Sequence, residues 1–190
     1  RPIALRNREG SKRHAEARIA IGRIWPDNIS ESGPNGDKTR KSVAEQIIRV
    51  GNAENESLGI EIGYNYASSS IICKTDQDIM QDDPLTYTPT TTPGYRPPAI
   101  YLANGNSIFD LFGSGYTLLN FLPGNIETTA FESEAKQLDI PFLTVAIEDK
   151  HAKEIYGFNL VLIRPDQHIA WRGHKVPDDI PDIFRIISGN

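Results

Sequence analysis

Three features of this 190-residue sequence predict an α/β fold, with a central mixed sheet flanked by helices and a helical arm in front. From residue 99 onward, short apolar runs rich in β-branched and aromatic residues alternate with segments of 3.6-residue periodicity, the pattern of strands feeding helices. Two of the late runs are separated by Arg164-Pro165-Asp166-Gln167, where proline presets φ at the second turn position and aspartate suits the third. Residues 1–55 show no such alternation and read as helices broken by a Pro/Gly/Asn/Ser loop.

In chain order, residues 11–24 predict a helix with Ala15, Ala17, Ile19, Ala20 and Ile24 at its small or apolar positions, stopped by Pro26. A loop over 27–36 leads to a second helix over 38–53, capped by Asp37, with Val43, Ile47 and Val50 on one face. The alternation of Ile60, Ile62, Tyr64 and Tyr66 predicts a strand within 58–72. Residues 74–98 hold five prolines and little periodicity, so an extended crossing segment is expected. Strands follow at 99–102, 116–121 and 142–147. Between the last two, a helix over 126–138 is expected to turn Ile126, Ala130 and Leu138 inward. Asp149 caps a short helix ending at Gly157, and 158–163 pairs with 168–171 as a hairpin. Pro177 opens a final helix whose Ile180, Ile183, Phe184 and Ile187 form one apolar stripe before Gly189. The order strand, helix, strand, helix, hairpin, helix over 116–188 is that of a thioredoxin-like fold.

Bulk properties narrow the function classes. Mean hydropathy of −0.40 and 38% apolar residues are ordinary for a globular chain, and no apolar run reaches the roughly 18 residues that span a bilayer. Neither a signal peptide nor a membrane span is therefore expected. Net charge is −5, yet residues 1–23 carry seven basic side chains against Glu9 and Glu16. That basic segment lacks interleaved aromatics and fronts an acidic body, which argues against nucleic-acid binding and for a helix that packs on another domain.

The chemistry-bearing residues are few. The single cysteine, Cys73, excludes an intrachain disulfide, a Cys-x-x-Cys pair and a thiolate zinc site, and is expected to be a buried, inert thiol at a strand end. In a thioredoxin-like fold the redox site would follow strand 116–121, but Leu122-Pro123-Gly124-Asn125-Ile126 offers no thiolate. Gly113-Ser114-Gly115 precedes a strand and has Leu118 at the third-glycine position, so it reads as a tight turn, not a phosphate cradle. His168 and His174 lack carboxylates at triad or metal spacing, and a cross-strand polar contact is expected for His168. No catalytic, cofactor-binding or metal-binding residue is assigned. Arg96, Trp171 and Arg172 stand out as structural or interface residues, each guanidinium expected to bond loop carbonyls or stack on an aromatic ring.

Two segments carry a family resemblance. One is Pro93-Gly94-Tyr95-Arg96-Pro97-Pro98 followed by Ile108-Phe109-Asp110-Leu111-Phe112-Gly113-Ser114-Gly115-Tyr116-Thr117-Leu118-Leu119. The other is Arg164-Pro165-Asp166-Gln167-His168-Ile169-Ala170-Trp171-Arg172. In this order they resemble the C-terminal domain of the FAD-dependent aromatic hydroxylases, the phenol hydroxylase and dichlorophenol monooxygenase group. In that family's hairpin a glycine stands where this chain has Gln167, and a valine where it has Ile169. The resemblance spans residues 56–190, and Arg1 to Asn7 resembles the linker leaving the FAD domain. It implies a redox-inactive thioredoxin-like domain (56–190) behind a helical arm (1–55), belonging to a longer cytoplasmic monooxygenase. Such an enzyme uses FAD, NAD(P)H and O2 on phenolic substrates. The flavin and substrate domains are the implied partners, homodimerisation is a further expectation, and the fragment alone is expected to be inactive. The alternative is a stand-alone thioredoxin-like protein-interaction module. A peroxiredoxin-like or glutathione-dependent enzyme fails on cysteine placement.

Overall fold

The computed structural model describes residues 2–23, 25–50, 57–74 and 83–189. The chain divides into two compact units, residues 1–62 with 82–87 and residues 63–81 with 88–190.

The first unit is helical. Helix α1 spans Pro2–Arg23 and α2 spans Pro34–Val50. Helix α1 starts well before the expected residue 11. Ala4, Leu5, Arg8 and Glu9 are strong helix formers, and Gly10 weakens the run by only about 1 kcal/mol. Between the helices, Asp27–Ser30 forms a single 3-10 turn. Helix α2 begins at Pro34 and not after Asp37, because proline is preorganised for the first helical turn. Asp37 lies inside that turn and pairs with Arg40, whose guanidinium also donates to the carbonyls of Ile29 (2.8 Å) and Glu31 (2.9 Å). Those bonds tie the connecting loop to α2. Gly36 is required there, since a Cβ would fall on the Glu31 carbonyl. Ile24 and residues 51–53, expected to be helical, lie outside the described residues.

The strand expected over 58–72 is instead a single helical turn, α3 (Leu58–Glu61), followed by turns. Gly59 lies against the backbone of Asp83, where a side chain would collide, and Gly63 interrupts the run. The alternation persists only locally, where Asn65 bridges Tyr95 and puts Tyr64 and Tyr66 on the same neighbour, His168. Of the expected crossing segment, 75–82 lies outside the described residues, and 83–98 is irregular. The strand expected at 99–102 reduces to one bridge, Tyr101 to Ser107, around a turn at Gly105.

The second unit is built on strands β1 (Tyr116–Asn120), β2 (Phe142–Ala146), β3 (Leu160–Ile163) and β4 (Ile169–Gly173). Their order is β2-β1-β3-β4, with β1 parallel to β2 and antiparallel to β3, and β3 antiparallel to β4. Helices α4 (Thr129–Gln137), α5 (Lys150–Tyr156) and α6 (Ile180–Ser188) complete the unit, a mixed α/β architecture. Both faces of the sheet are buried. Leu118, Leu160 and Leu162 belong to one core with Phe131, Ala135, Ile183 and Phe184 from α4 and α6. Leu119, Val161 and Ile163 belong to the other, with Ala152 and Tyr156 of α5 and Ile108. A strand covered on both sides must be apolar at every position, which is why β3 reads Leu-Val-Leu-Ile.

Helix α5 is capped by Asp149, which accepts from the Ala152 amide at 2.9 Å, and stops at Gly157 (φ 70°). Helix α6 begins after Asp179, not at Pro177, because the Asp179 carboxylate accepts the Asp182 amide (3.0 Å) and Pro181 sits in the first turn. All four of its expected apolar positions are buried. Helix α4 is shorter than expected, and its inward residues are Phe131 and Ala135; Ala130 and Leu138 are exposed. A periodicity counted from Ile126, which precedes the helix, gives the wrong face. Among the described residues no helix is long and apolar enough to cross a membrane.

Candidate functional site

The two family-like segments meet in space. Residues 90–98 run as a strap along the outer edge of β4, where the Gly94 amide donates to the Ile169 carbonyl (2.7 Å) and the Ile169 amide to the Tyr95 carbonyl (2.9 Å). On its other side, Gly94 accepts from the Tyr66 amide at 2.8 Å. Gly94 has φ 93°, and a Cβ would fall on the Ala67 backbone. Only glycine fits between the two neighbours.

Each guanidinium seals part of the strap. Arg96 lies 4.4 Å over the Phe109 ring. Arg172 lies 4.2 Å over Phe158 and donates to Thr91 Oγ1 at 2.9 Å, while the Thr91 hydroxyl donates to the Tyr156 carbonyl. Burial lowers the pKa of Arg172 from its ordinary value, yet a guanidinium stays charged. The Tyr156 hydroxyl returns to the strap at the Pro98 carbonyl (3.0 Å). Trp171 is half-buried against Phe131, and its indole covers Gly173, where a Cβ would come within 2.6 Å of the ring.

At the tip of the hairpin, Asp166 binds Arg164 through two hydrogen bonds (3.1 and 2.9 Å). Partial burial pushes the Asp166 carboxyl up, but the Arg164 bonds and charge outweigh it and hold the group below its ordinary range. His168 is fully buried between the rings of Tyr64 (5.1 Å) and Tyr66 (4.9 Å). Its Nδ1 lies 2.9 Å from the Asp166 carbonyl, which only accepts, so Nδ1 carries the proton. The opposite nitrogen, Nε2, has no hydrogen-bond partner among the described residues. Burial lowers the His168 pKa, and the charges of Arg164 and Arg96 act in the same direction. His168 therefore contacts the backbone of its own turn and two aromatic rings, not a cross-strand polar group. His174 stacks on Phe158 at 4.6 Å.

The loop after β1, where a thioredoxin-like fold would place its thiols, opens into a recess of about 500 Å³. Asn120, Asn125, Glu127, Thr128 and Thr144 line it, none with a nucleophilic sulfur. Cys73 ends no strand; it lies in an irregular segment whose amide reaches the Ala170 carbonyl of β4 (3.1 Å). It is buried, and burial with the charge of Asp182 pushes its thiol up to about 11. Thiol–disulfide exchange needs a thiolate, and this group has almost none at neutral pH. The turn Gly113-Ser114-Gly115 precedes β1, with the Gly113 amide on Thr117 Oγ1 (2.9 Å) and Gly115 against the Pro141 backbone. Close backbone packing accounts for Gly115, whereas a Cβ at Gly113 would meet only side-chain atoms of Leu143 and Thr117 at ordinary contact distance. Neither residue stands at a helix N-terminus, so these positions do not fit the pyrophosphate of FAD.

The sequence profile of the family described as aromatic-ring hydroxylase, C-terminal, matches residues 90–190. The chain belongs to that family. Among relatives, it is 36% identical over 145 residues to the FAD-dependent monooxygenase apdD of Emericella nidulans, covering 72% of this chain and 23% of that protein. It is 31% identical over 184 residues to the FAD-dependent monooxygenase opdD of Penicillium oxalicum, covering 93% of this chain and 35% of that one. The structure of the rebeccamycin biosynthetic enzyme RebC with reduced flavin superposes on 99% of this chain and 34% of RebC, with a TM-score of 0.85 and 28% identity. The chain thus spans a quarter to a third of the length of these proteins.

Within this hydroxylase C-terminal domain, Arg96, Trp171 and Arg172 all fall inside the matched region, and the fold gathers both arginines around the strap. The structure adds Thr91, Phe158 and the Tyr64/Tyr66 pair, which the sequence alone does not single out. The spacing of Asp166 and His168 around a turn is a usable signal. The tyrosines come from a segment more than a hundred residues earlier, and no local pattern announces that contact.

Proposed function

We propose that this chain is the C-terminal part of an FAD-dependent monooxygenase that hydroxylates phenolic or other aromatic substrates with NAD(P)H and O2. The family match over residues 90–190 carries the reading. Residues 56–190 act as a redox-silent thioredoxin-like domain, and 1–55 as the arm that joins it to the flavin domain. The strand order β2-β1-β3-β4, with β3 antiparallel to its neighbours, supports the thioredoxin-like assignment.

Bound flavin supplies the oxygen chemistry, and no residue of this chain takes part in it. Its own residues hold a rigid scaffold: the strap closes the β4 edge, Arg96 and Arg172 lock the strap, and the Arg164–Asp166 pair fixes the hairpin tip. An edge closed in this way resists unwanted strand pairing. The domain's role is then structural or dimerising, in a cytoplasmic enzyme.

The mass and visible absorption spectrum of the native gene product test the reading. A yellow protein of about three times this mass is expected, given that the chain covers 34% of RebC. A colourless product near 21.1 kDa would leave a stand-alone interaction module instead.

A further inference from the structure

The sheet has two edges, and the strap closes the one at β4. At the other, β2 pairs with β1 alone among the described residues. The Pro141 carbonyl accepts from the Tyr116 amide (2.9 Å) and the Ile147 amide donates to the Asn120 carbonyl (2.8 Å). In a parallel pair this register turns the backbone groups of the odd-numbered residues of β2 to β1, and those of Phe142, Thr144 and Ala146 outward. None of these three has an outer backbone partner among the described residues. The run Phe-Leu-Thr-Val-Ala carries no lysine, proline or bulge, the usual guards of an exposed edge.

Two recesses, of about 330 and 500 Å³, follow this edge. The first lies beside Pro141 and Phe142, the second beside Thr144 and Ala146, and Glu132 of α4 lines both. Glu127, Glu132 and Asp139 outnumber Lys136 along them, and none of these acids is in an ion pair among the described residues. Leu143, whose side chain points to the other face of the sheet, is exposed.

We propose that the outer edge of β2 docks an extended strand of a separate protein, one that alternates basic and apolar residues and adds itself to the sheet. The outward groups of Phe142, Thr144 and Ala146 supply the backbone ladder. Side chains of an added strand alternate between the two faces of the sheet. Basic ones on the α4 side meet Glu127, Glu132 and Asp139, and apolar ones on the opposite side cover Leu143. Charge disfavours a second copy of this chain as the occupant. Two-fold pairing centred on Thr144 would set Glu132, which accepts from the Thr144 hydroxyl (2.7 Å), beside the same residue of the other copy.

A short fluorescent peptide of alternating lysine and valine, titrated against the full-length protein as its gene encodes it, tests the docking site. Saturable binding is expected, weakened at least about ten-fold by N-methylation of the peptide amides and by Glu132→Lys. Glu154→Lys, the same charge change on α5, is expected to leave it unchanged. Amide exchange at Thr144 and Ala146 should be fast in the free protein and at least about ten-fold slower with the peptide bound. Absence of saturable binding would overturn the proposal. Binding that survives N-methylation, or that falls equally with Glu154→Lys, would reduce the contact to diffuse charge attraction and overturn it as well. Slow exchange of the two amides in the free protein would do the same, assigning the edge to a second copy if exchange quickens on dilution and to the same polypeptide if it does not.

Discussion

Replacing Gly94 with alanine isolates the contribution of the strap. Two penalties act at this position. A non-glycine residue at φ 93° costs about 1–2 kcal/mol in backbone strain. A Cβ would also fall on the Ala67 nitrogen and within 2.6 Å of its Cα, and backbone cannot yield as a flexible side chain does. The strap must then move away, breaking the Gly94–Ile169 and Tyr66–Gly94 hydrogen bonds. Two such bonds contribute about 1–3 kcal/mol together. Gly105 is the matched control, with φ 84° but no atom within 4 Å of the place a Cβ would occupy, so Gly105→Ala carries the strain alone. Both substitutions restrict the unfolded chain equally, and that effect cancels between them. Gly94→Ala should therefore destabilise the second unit by about 2 kcal/mol more than Gly105→Ala, roughly a thirty-fold difference in opening equilibrium. Hydrogen exchange at the amides of β1 and β3 reads this unit directly. Equal acceleration by the two substitutions would refute the steric account of the strap.

Gln167 holds φ 64° in the hairpin turn, where the family hairpin has glycine. Gln167→Gly should relieve about 1–2 kcal/mol of strain against roughly 0.5–1 kcal/mol of added chain entropy, so thermal unfolding should rise by a few degrees; a lower melting temperature would count against it. His168 is held neutral, its pKa lowered by burial from an ordinary 6.5. The unfolded chain then binds the extra proton, so the stability from His168 is fully present above about pH 6.5 and is lost as pH falls towards the folded value. Unfolding midpoints measured between about pH 5 and 7 should slope upward with pH, and the slope should flatten in His168→Gln; an unchanged slope would show that other groups set it. Cys73, with its thiol pushed up to about 11, should resist a disulfide reagent at neutral pH until the protein unfolds. Stoichiometric labelling of the native protein within the mixing time would show that it is accessible.

The elements legible in the sequence are those whose signals are local. Helix α5 declares itself through Asp149 and Gly157, and α6 through a stripe that is buried at every expected position. The hairpin is legible because Pro165 and Asp166 encode its turn, and β3 because burial on both faces demands an unbroken apolar run. The failures share a cause. The alternation from Ile60 to Tyr66 looks like a strand, but a strand needs a partner at every rung, and only Asn65 finds one. The face of α4 is illegible from Ile126, which lies before the helix, so its phase does not continue into the turns that follow.

Composition and motif order alone determined that this chain has a single cysteine, no Gly-x-Gly-x-x-Gly run, and the family segments of a hydroxylase C-terminal domain. These are properties of which atoms are present and in what order, and folding cannot add a missing sulfur or glycine. Only the tertiary structure decided what Arg96 and Arg172 rest on, what encloses His168, and why Gly94 must be glycine. Each of those depends on groups brought within a few ångströms from distant parts of the chain: Thr91 and Phe158 to Arg172, Tyr64 and Tyr66 to His168, Ala67 to Gly94. Contact energies fall off within that distance, so spatial neighbours and not sequence neighbours fix them.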